Sequence, residues 1–178
     1  TDAGPATMGV TQFEAPYARR AFPCWDEPEF KATFTVSLTC DPGLTAVSNT
    51  REIDRIVLDD GRTRFDFAAT MIMSTYLVAW VVGELEISES VDAGTTQARV
   101  IHRPGQAHLT SFALECAAHA VEWFEEYYGI EYPGDKLDLI AVPDFAFGAM
   151  ENLGCVTFRE NLLLIDPERS NRNEQERA

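Results

Sequence analysis

Between His102 and Leu109 the hydrophobic period of this chain switches from two to three-and-four. Upstream, Phe34, Val36 and Leu38 alternate with Thr35, Ser37 and Thr39, which is the pattern of a half-buried strand. Downstream, Leu109, Phe112, Ala113, Cys116, Ala117, Ala120, Val121, Phe124 and Tyr128 form one face of a helix about five turns long. Gly129 is placed to end it, because a glycine just past a helix takes the left-handed conformation without strain. Strands first and a long helix after predict an α+β fold.

Turn signals divide the strand-rich part. Asp41-Pro42-Gly43 breaks the first strand, and Asp60-Gly61 marks a hairpin between Ile53–Leu58 and Arg64–Ala68. Tyr76–Val82 is apolar on both faces, as a central strand between two layers would be. Leu85–Val91 and Gln97–His102 read as a second hairpin, turning at Asp92-Ala93-Gly94. After the helix, Leu137–Val142, Val156–Phe158 and Leu162–Ile165 read as strands. The change of composition near residues 84 to 90 predicts two domains: an antiparallel sandwich or saddle over 1–86, without its first strands, and a mixed domain over 87–178.

A net charge of −15 excludes a nucleic-acid interface, which needs a basic patch, and an anionic membrane surface for the same reason. No run of eighteen apolar residues marks a membrane span. Cys24, Cys40, Cys116 and Cys155 are far apart, which fits a reducing compartment and a cytoplasmic location better than a disulfide framework. No two of His102, His108 and His119 stand at metal spacing, so no metal ligand is assigned.

Two stretches carry chemistry. Gly148-Ala149-Met150-Glu151-Asn152 follows a strand and places a carboxylate beside a glycine, where a backbone can approach a ligand closely. More than a hundred residues upstream lies Thr11-Gln12-Phe13-Glu14, followed by Ala18 through Pro28. In an extended segment Gln12 and Glu14 would point to the same side. Asp26 and Arg19 or Arg20 are placed to pair and fix the irregular loop between.

These stretches, in this order, resemble the zinc metalloaminopeptidases of the aminopeptidase N family, and the resemblance runs along nearly the whole chain, including Tyr128–Pro133 and Lys136–Asp138. It implies the end of an all-β N-terminal domain followed by the start of a thermolysin-like catalytic domain. It also implies that Glu151 binds the free α-ammonium of a peptide, that Glu14 is a second ligand for that ammonium, and that Gly148 and Ala149 line the substrate main chain. Gln12, Phe147 and Met150 match positions around the first side chain, and Asn152 completes the motif. Partners would be peptides with a free N-terminal amine. Phe147 and Leu153 depart from residues common in the family, which leaves the preferred first residue open.

The family's His-Glu-x-x-His helix, which supplies zinc ligands and a general base, has no counterpart in these 178 residues. Asn171 with Glu174 reads as an N-cap and capping-box partner, so a helix is expected to start there and to be cut short at Ala178. The expectation is a recognition half that is inactive alone and holds no zinc, with the cofactor bound elsewhere in a longer parent. A non-catalytic relative on the same scaffold is the alternative. A related epoxide hydrolase is disfavoured by Glu14 and Ala149, where those relatives carry glutamine and glycine.

Overall fold

The computed structural model describes residues 7–166, 168–170 and 172–175. Their contacts group into two units, one made of the described residues up to Leu85 with Met150–Cys155, the other of Glu86–Ala149 and the described residues from Val156 on. The fold is α+β, with helices confined to the second unit apart from short 3-10 turns.

In the first unit the strands are β1 (Met8–Val10), β2 (Lys31–Ala32), β3 (Ser37–Cys40), β4 (Thr45–Ser48), β5 (Glu52–Val57), β6 (Thr63–Phe67), β7 (Met73–Ser74) and β8 (Trp80–Gly83). They form antiparallel sheets in the orders β1-β8-β4 and β3-β6-β5, with β2 paired to β7. The alternation read from residues 34 to 39 holds. Val36 and Cys40 are buried with Ala46, Phe65 and Phe67, Leu38 packs against them, and Thr35, Ser37 and Thr39 face solvent. The turn after β3 closes with the Leu44 N–H on Asp41 O, and Gly43 at φ +84° supplies the left-handed third position such a turn requires.

One strand is shorter than its apolar run suggests. β8 is central in its sheet, but Thr75–Leu77 ahead of it is a 3-10 turn. Asn49 ends the run of strand geometry there. Its amide donates to Leu77 O (2.8 Å) and accepts from the Ala79 N–H (2.9 Å), which satisfies backbone groups that a sheet neighbour would otherwise take.

The second unit contains β9 (Glu86–Ile87), β10 (Val91–Ala93), β11 (Thr96–His102), α1 (Ser111–Tyr128), β12 (Leu137–Val142), β13 (Ala149–Met150), β14 (Cys155–Arg159), α2 (Glu160–Leu163) and α3 (Arg172–Gln175). Its sheet runs β10-β11-β12-β14-β13, with β9 also on β11. β11 and β12 are parallel, Ala98 opposite Leu137, and α1 supplies the crossover that parallel neighbours need. All six residues of β12 are buried. The β10–β11 turn is the two-residue Gly94-Thr95, two positions later than the sequence suggests, because Ala93 still pairs with Thr96. The expected strand at Leu162–Ile165 is instead the end of α2, where the Leu164 N–H closes on Glu160 O.

Helix α1 ends at Gly129 as expected, with φ +64° and its N–H on Glu125 O. Its buried face, however, is rotated by about one residue from the face the period picks out. Ala113 and Leu114 are buried, and Ala117, Ala118 and Val121 pack with them on Ala98, Val100, Leu139 and Ala141. Cys116, Ala120, Phe124 and Tyr128 are exposed. Glu125 accounts for the rotation. Its carboxylate accepts from the Thr95 hydroxyl and N–H and from the Tyr132 N–H (2.8 Å), so this polar side chain, and not Phe124, faces the β10–β11 turn. Asn171, the expected N-cap of α3, lies outside the described residues.

Candidate functional site

The upstream stretch leaves the sheet at a fixed point. The Thr11 N–H donates to Trp80 O (3.1 Å) and the Thr11 hydroxyl oxygen accepts from the Trp80 N–H (2.9 Å). The chain then turns over Glu14–Tyr17, with the Tyr17 N–H on Phe13 O. Phe13 is buried, edge-on to Trp80 and Phe22 at ring-centroid distances of 5.5 and 6.0 Å. Glu14, the next residue, is exposed. Because Glu14 lies in a turn, the period-two argument relating it to Gln12 does not apply. Gln12 is half-buried, and its Oε1 is enclosed without a hydrogen bond among the described residues.

Arg19, and not Arg20, fixes the loop that follows. Its Nε and backbone N–H donate to Asp26 Oδ2 (3.2 and 3.0 Å), and its Nη2 donates to Asp26 O and Glu27 Oε1. The hydrogen bond it donates to Asp26 holds the guanidinium above its usual pKa. Arg20 stacks over Tyr17 instead.

The downstream stretch starts where β12 ends. Asp144 takes the left-handed conformation (φ +53°), one that aspartate tolerates better than most residues. The chain then runs through Phe145–Gly148 into β13, the last strand of its sheet and therefore an edge. Gly148, Ala149 and Glu151 are exposed, and Phe147 shows 56% of its surface. Met150 and Asn152, by contrast, are fully buried. Both amide atoms of Asn152 are buried without a hydrogen-bond partner among the described residues.

The unit boundary cuts through this motif, and Met150–Cys155 belongs with the N-terminal strands. Two contacts tie it there. Leu153 packs into the cluster of Phe13, Ala18, Met73 and Val78, and Leu153 O accepts from Asn49 Nδ2 at 2.9 Å. The neighbour of Glu14 and the residue two past Glu151 thus share one apolar cluster. Asn49 escapes sequence reading, since its partner is 104 positions away and is a backbone carbonyl.

Carboxylates carried on exposed turns over a common apolar base suit a cationic ligand. The donor set does not suit a zinc ion. Among the described residues no three His, Cys, Asp or Glu side chains come together, His102 is buried with Nδ1 2.8 Å from Arg103 O, and His108 and His119 are exposed. Among the described residues no helix is long and apolar enough to cross a membrane.

The profile of the Peptidase M1 N-terminal domain matches residues 1–77, and that of the Peptidase family M1 domain matches residues 112–178. Aminopeptidase 2 of Candida albicans is 44% identical over 171 residues, which cover 96% of this chain and 18% of that protein. The puromycin-sensitive aminopeptidase of Caenorhabditis elegans is 45% identical over 161 residues, 90% of this chain and 17% of that protein. Endoplasmic reticulum aminopeptidase 1 of Homo sapiens is 39% identical over 163 residues, covering 92% and 17%. The chain thus spans less than a fifth of the length of these relatives. With both profiles matched in order and nearly the whole chain aligned to aminopeptidases, the chain belongs to peptidase family M1.

Proposed function

We propose that this chain is the amine-recognition portion of a zinc-dependent aminopeptidase that removes N-terminal residues from peptides. Glu14 and Glu151 would bind the substrate α-ammonium, Gly148 and Ala149 would run along its main chain at the open edge of β13, and Gln12 and Phe147 would border its first side chain. Met150 and Asn152 would support that surface from below. The observation that carries this reading is the shared cluster under the two carboxylates, formed by Phe13 and Leu153.

The chemistry follows from what marks a peptide's end. Only a free N-terminus offers a charged amine, and charge-assisted hydrogen bonds from it to carboxylates are stronger than neutral ones. An internal peptide bond brings no cation and leaves the carboxylates to be desolvated unpaired, which rejects it. Anchoring the amine also sets the distance to the scissile carbonyl. The zinc ion of such an enzyme would have its ligands outside these 178 residues and would supply Lewis-acid chemistry.

In the full-length polypeptide containing this chain, Glu151→Gln keeps the shape and removes the charge. Both carboxylates are exposed, so the loss falls at the low end for a hydrogen bond to a charged group, about 1.5 kcal/mol or roughly tenfold in kcat/KM on aminoacyl amides. Unchanged kcat/KM would refute the amine anchor. The 178 residues alone are expected to give no turnover and to retain no stoichiometric zinc.

A further inference from the structure

Residues 145 to 148, which lead into the exposed edge strand, have little apolar packing to hold them. Ala146, Phe147 and Gly148 are exposed. Their carbonyls are gathered by one side chain instead. Arg159 Nε donates to Phe145 O (2.9 Å) and Phe147 O (3.2 Å), its Nη2 donates to Ala146 O (2.8 Å), and its backbone N–H donates to Gly148 O (2.8 Å). Four consecutive carbonyls therefore accept from one residue. Carbonyl dipoles aimed at one point repel each other unless a cation sits there, and among the described residues this guanidinium pairs with no carboxylate.

Arg159 is itself held from both sides. It is the last residue of β14, and Glu160, the next one, is clamped by the Arg103 fork just past β11, Nε to Oε2 at 3.1 Å and Nη2 to Oε1 at 3.0 Å. The planar fork of an arginine can address several oxygens at fixed angles, whereas the ammonium of a lysine is a single point at the end of a flexible stem.

We propose that Arg159 is the positioning residue of the recognition loop, setting the backbone path by which Gly148 and Ala149 meet a substrate main chain. This rests on the recognition reading given above. Arg159 touches no reacting atom in this role. It acts by aiming the loop, so its loss falls on ligands that have a main chain and spares those that are only an amine.

The test uses the full-length polypeptide, with Arg159→Lys and Arg159→Gln beside Glu151→Gln. A misplaced loop is expected to lower kcat/KM on aminoacyl amides about 10- to 100-fold in both Arg159 variants. Inhibition by a simple alkylamine should move less than about threefold in them, while it weakens in Glu151→Gln. Hydrogen exchange of the peptide covering residues 144–150 should quicken at least about tenfold in Arg159→Lys, with the rest of the chain unchanged. Unaltered exchange there overturns the assignment whatever the activity, and so does a lysine variant with wild-type kcat/KM. Equal losses for aminoacyl amides and alkylamine also overturn it, as damage not confined to the loop. A neutral Glu151→Gln alongside faster exchange in Arg159→Lys sinks the amine clamp and leaves the loop anchor standing.

Discussion

Asp138 is a fully buried charge in the second unit, and replacing it by asparagine measures how far the unit depends on it. It lies in β12 with no exposed surface, and two cations converge on it. Arg99 from the neighbouring strand β11 binds both oxygens, Nε to Oδ1 at 2.8 Å and Nη2 to Oδ2 at 2.9 Å, and Lys136 Nζ lies 2.8 Å from Oδ2. Asp138→Asn keeps the volume and one acceptor. It removes the anion and turns an NH2 group toward one of the two cations. Removing one partner of a buried pair costs about 3–5 kcal/mol. The Arg99 side chain is 33% exposed and recovers some solvation, whereas that of Lys136 is 8% exposed and recovers little. The expected loss is therefore near the lower bound, about 3 kcal/mol. For a domain of ordinary stability, roughly 5–15 kcal/mol, that is about a fifth to three fifths of the total. Urea denaturation of the 178-residue chain, with the slope held common, reads the loss as a shift of midpoint. Asp138→Leu combined with Lys136→Met is expected to lose less than Asp138→Asn alone, because a well-packed apolar replacement spares the charge burial. An asparagine variant within about 0.5 kcal/mol of the parent would refute the claim that this cluster holds β11 to β12.

Two further outcomes concern the contact that rotates α1. Gly94 sits at φ +56° with the Glu125 carboxylate packed where a Cβ would lie, so Gly94→Ala is expected to cost at least about 1 kcal/mol from the backbone alone, and an unchanged urea midpoint would contradict that. Hydrogen bonds from the Thr95 hydroxyl and then the Tyr132 and Thr95 N–H groups hold the Glu125 carboxyl below its usual 4.5. A carboxyl depressed on folding adds stability that is fully present above pH 4.5 and fades as pH falls through the lower folded value. Subtracting the Glu125→Gln profile from the parent's should leave an acid-side decline starting near pH 4.5, and parallel profiles would exclude the role.

Elements that bury one face against their own sheet were legible, because the pattern and its cause lie in the same few residues. Val36, Leu38 and Cys40 turn inward and Ser37 and Thr39 outward, as their spacing says, and Gly129 ends α1 as a glycine in that position should. The facing of α1 was not legible. Phe124 and Tyr128 read as part of the buried face, yet both are exposed and stack on one another with ring centroids 5.9 Å apart. The residue that decides the facing is Glu125, whose partners lie at Thr95 and Tyr132, and no local period records a carboxylate reaching a distant N–H. Within the candidate site the same limit applies. Glycines and carboxylates announce themselves, whereas Asn49 and Arg159 work through carbonyls, which every residue has.

The division of the Gly148–Asn152 motif between two contact units changes what each half can be asked to do. Glu14 and Glu151 fall in the same unit, so the spacing of the two carboxylates is set inside it, by Phe13 and Leu153 in one cluster and by Asn49 bridging Leu77 and Leu153. Gly148 and Ala149 fall in the other, where Arg159 ties down the carbonyls leading to them. In the proposed site the carboxylates and the main-chain residues would thus have separate structural supports. It follows that the strands up to Leu85 are not a self-sufficient body. A polypeptide stopping there loses Leu153 from its core cluster, and the Asn49 amide loses one of its three backbone partners. That lost hydrogen bond is worth about 0.5–1.5 kcal/mol.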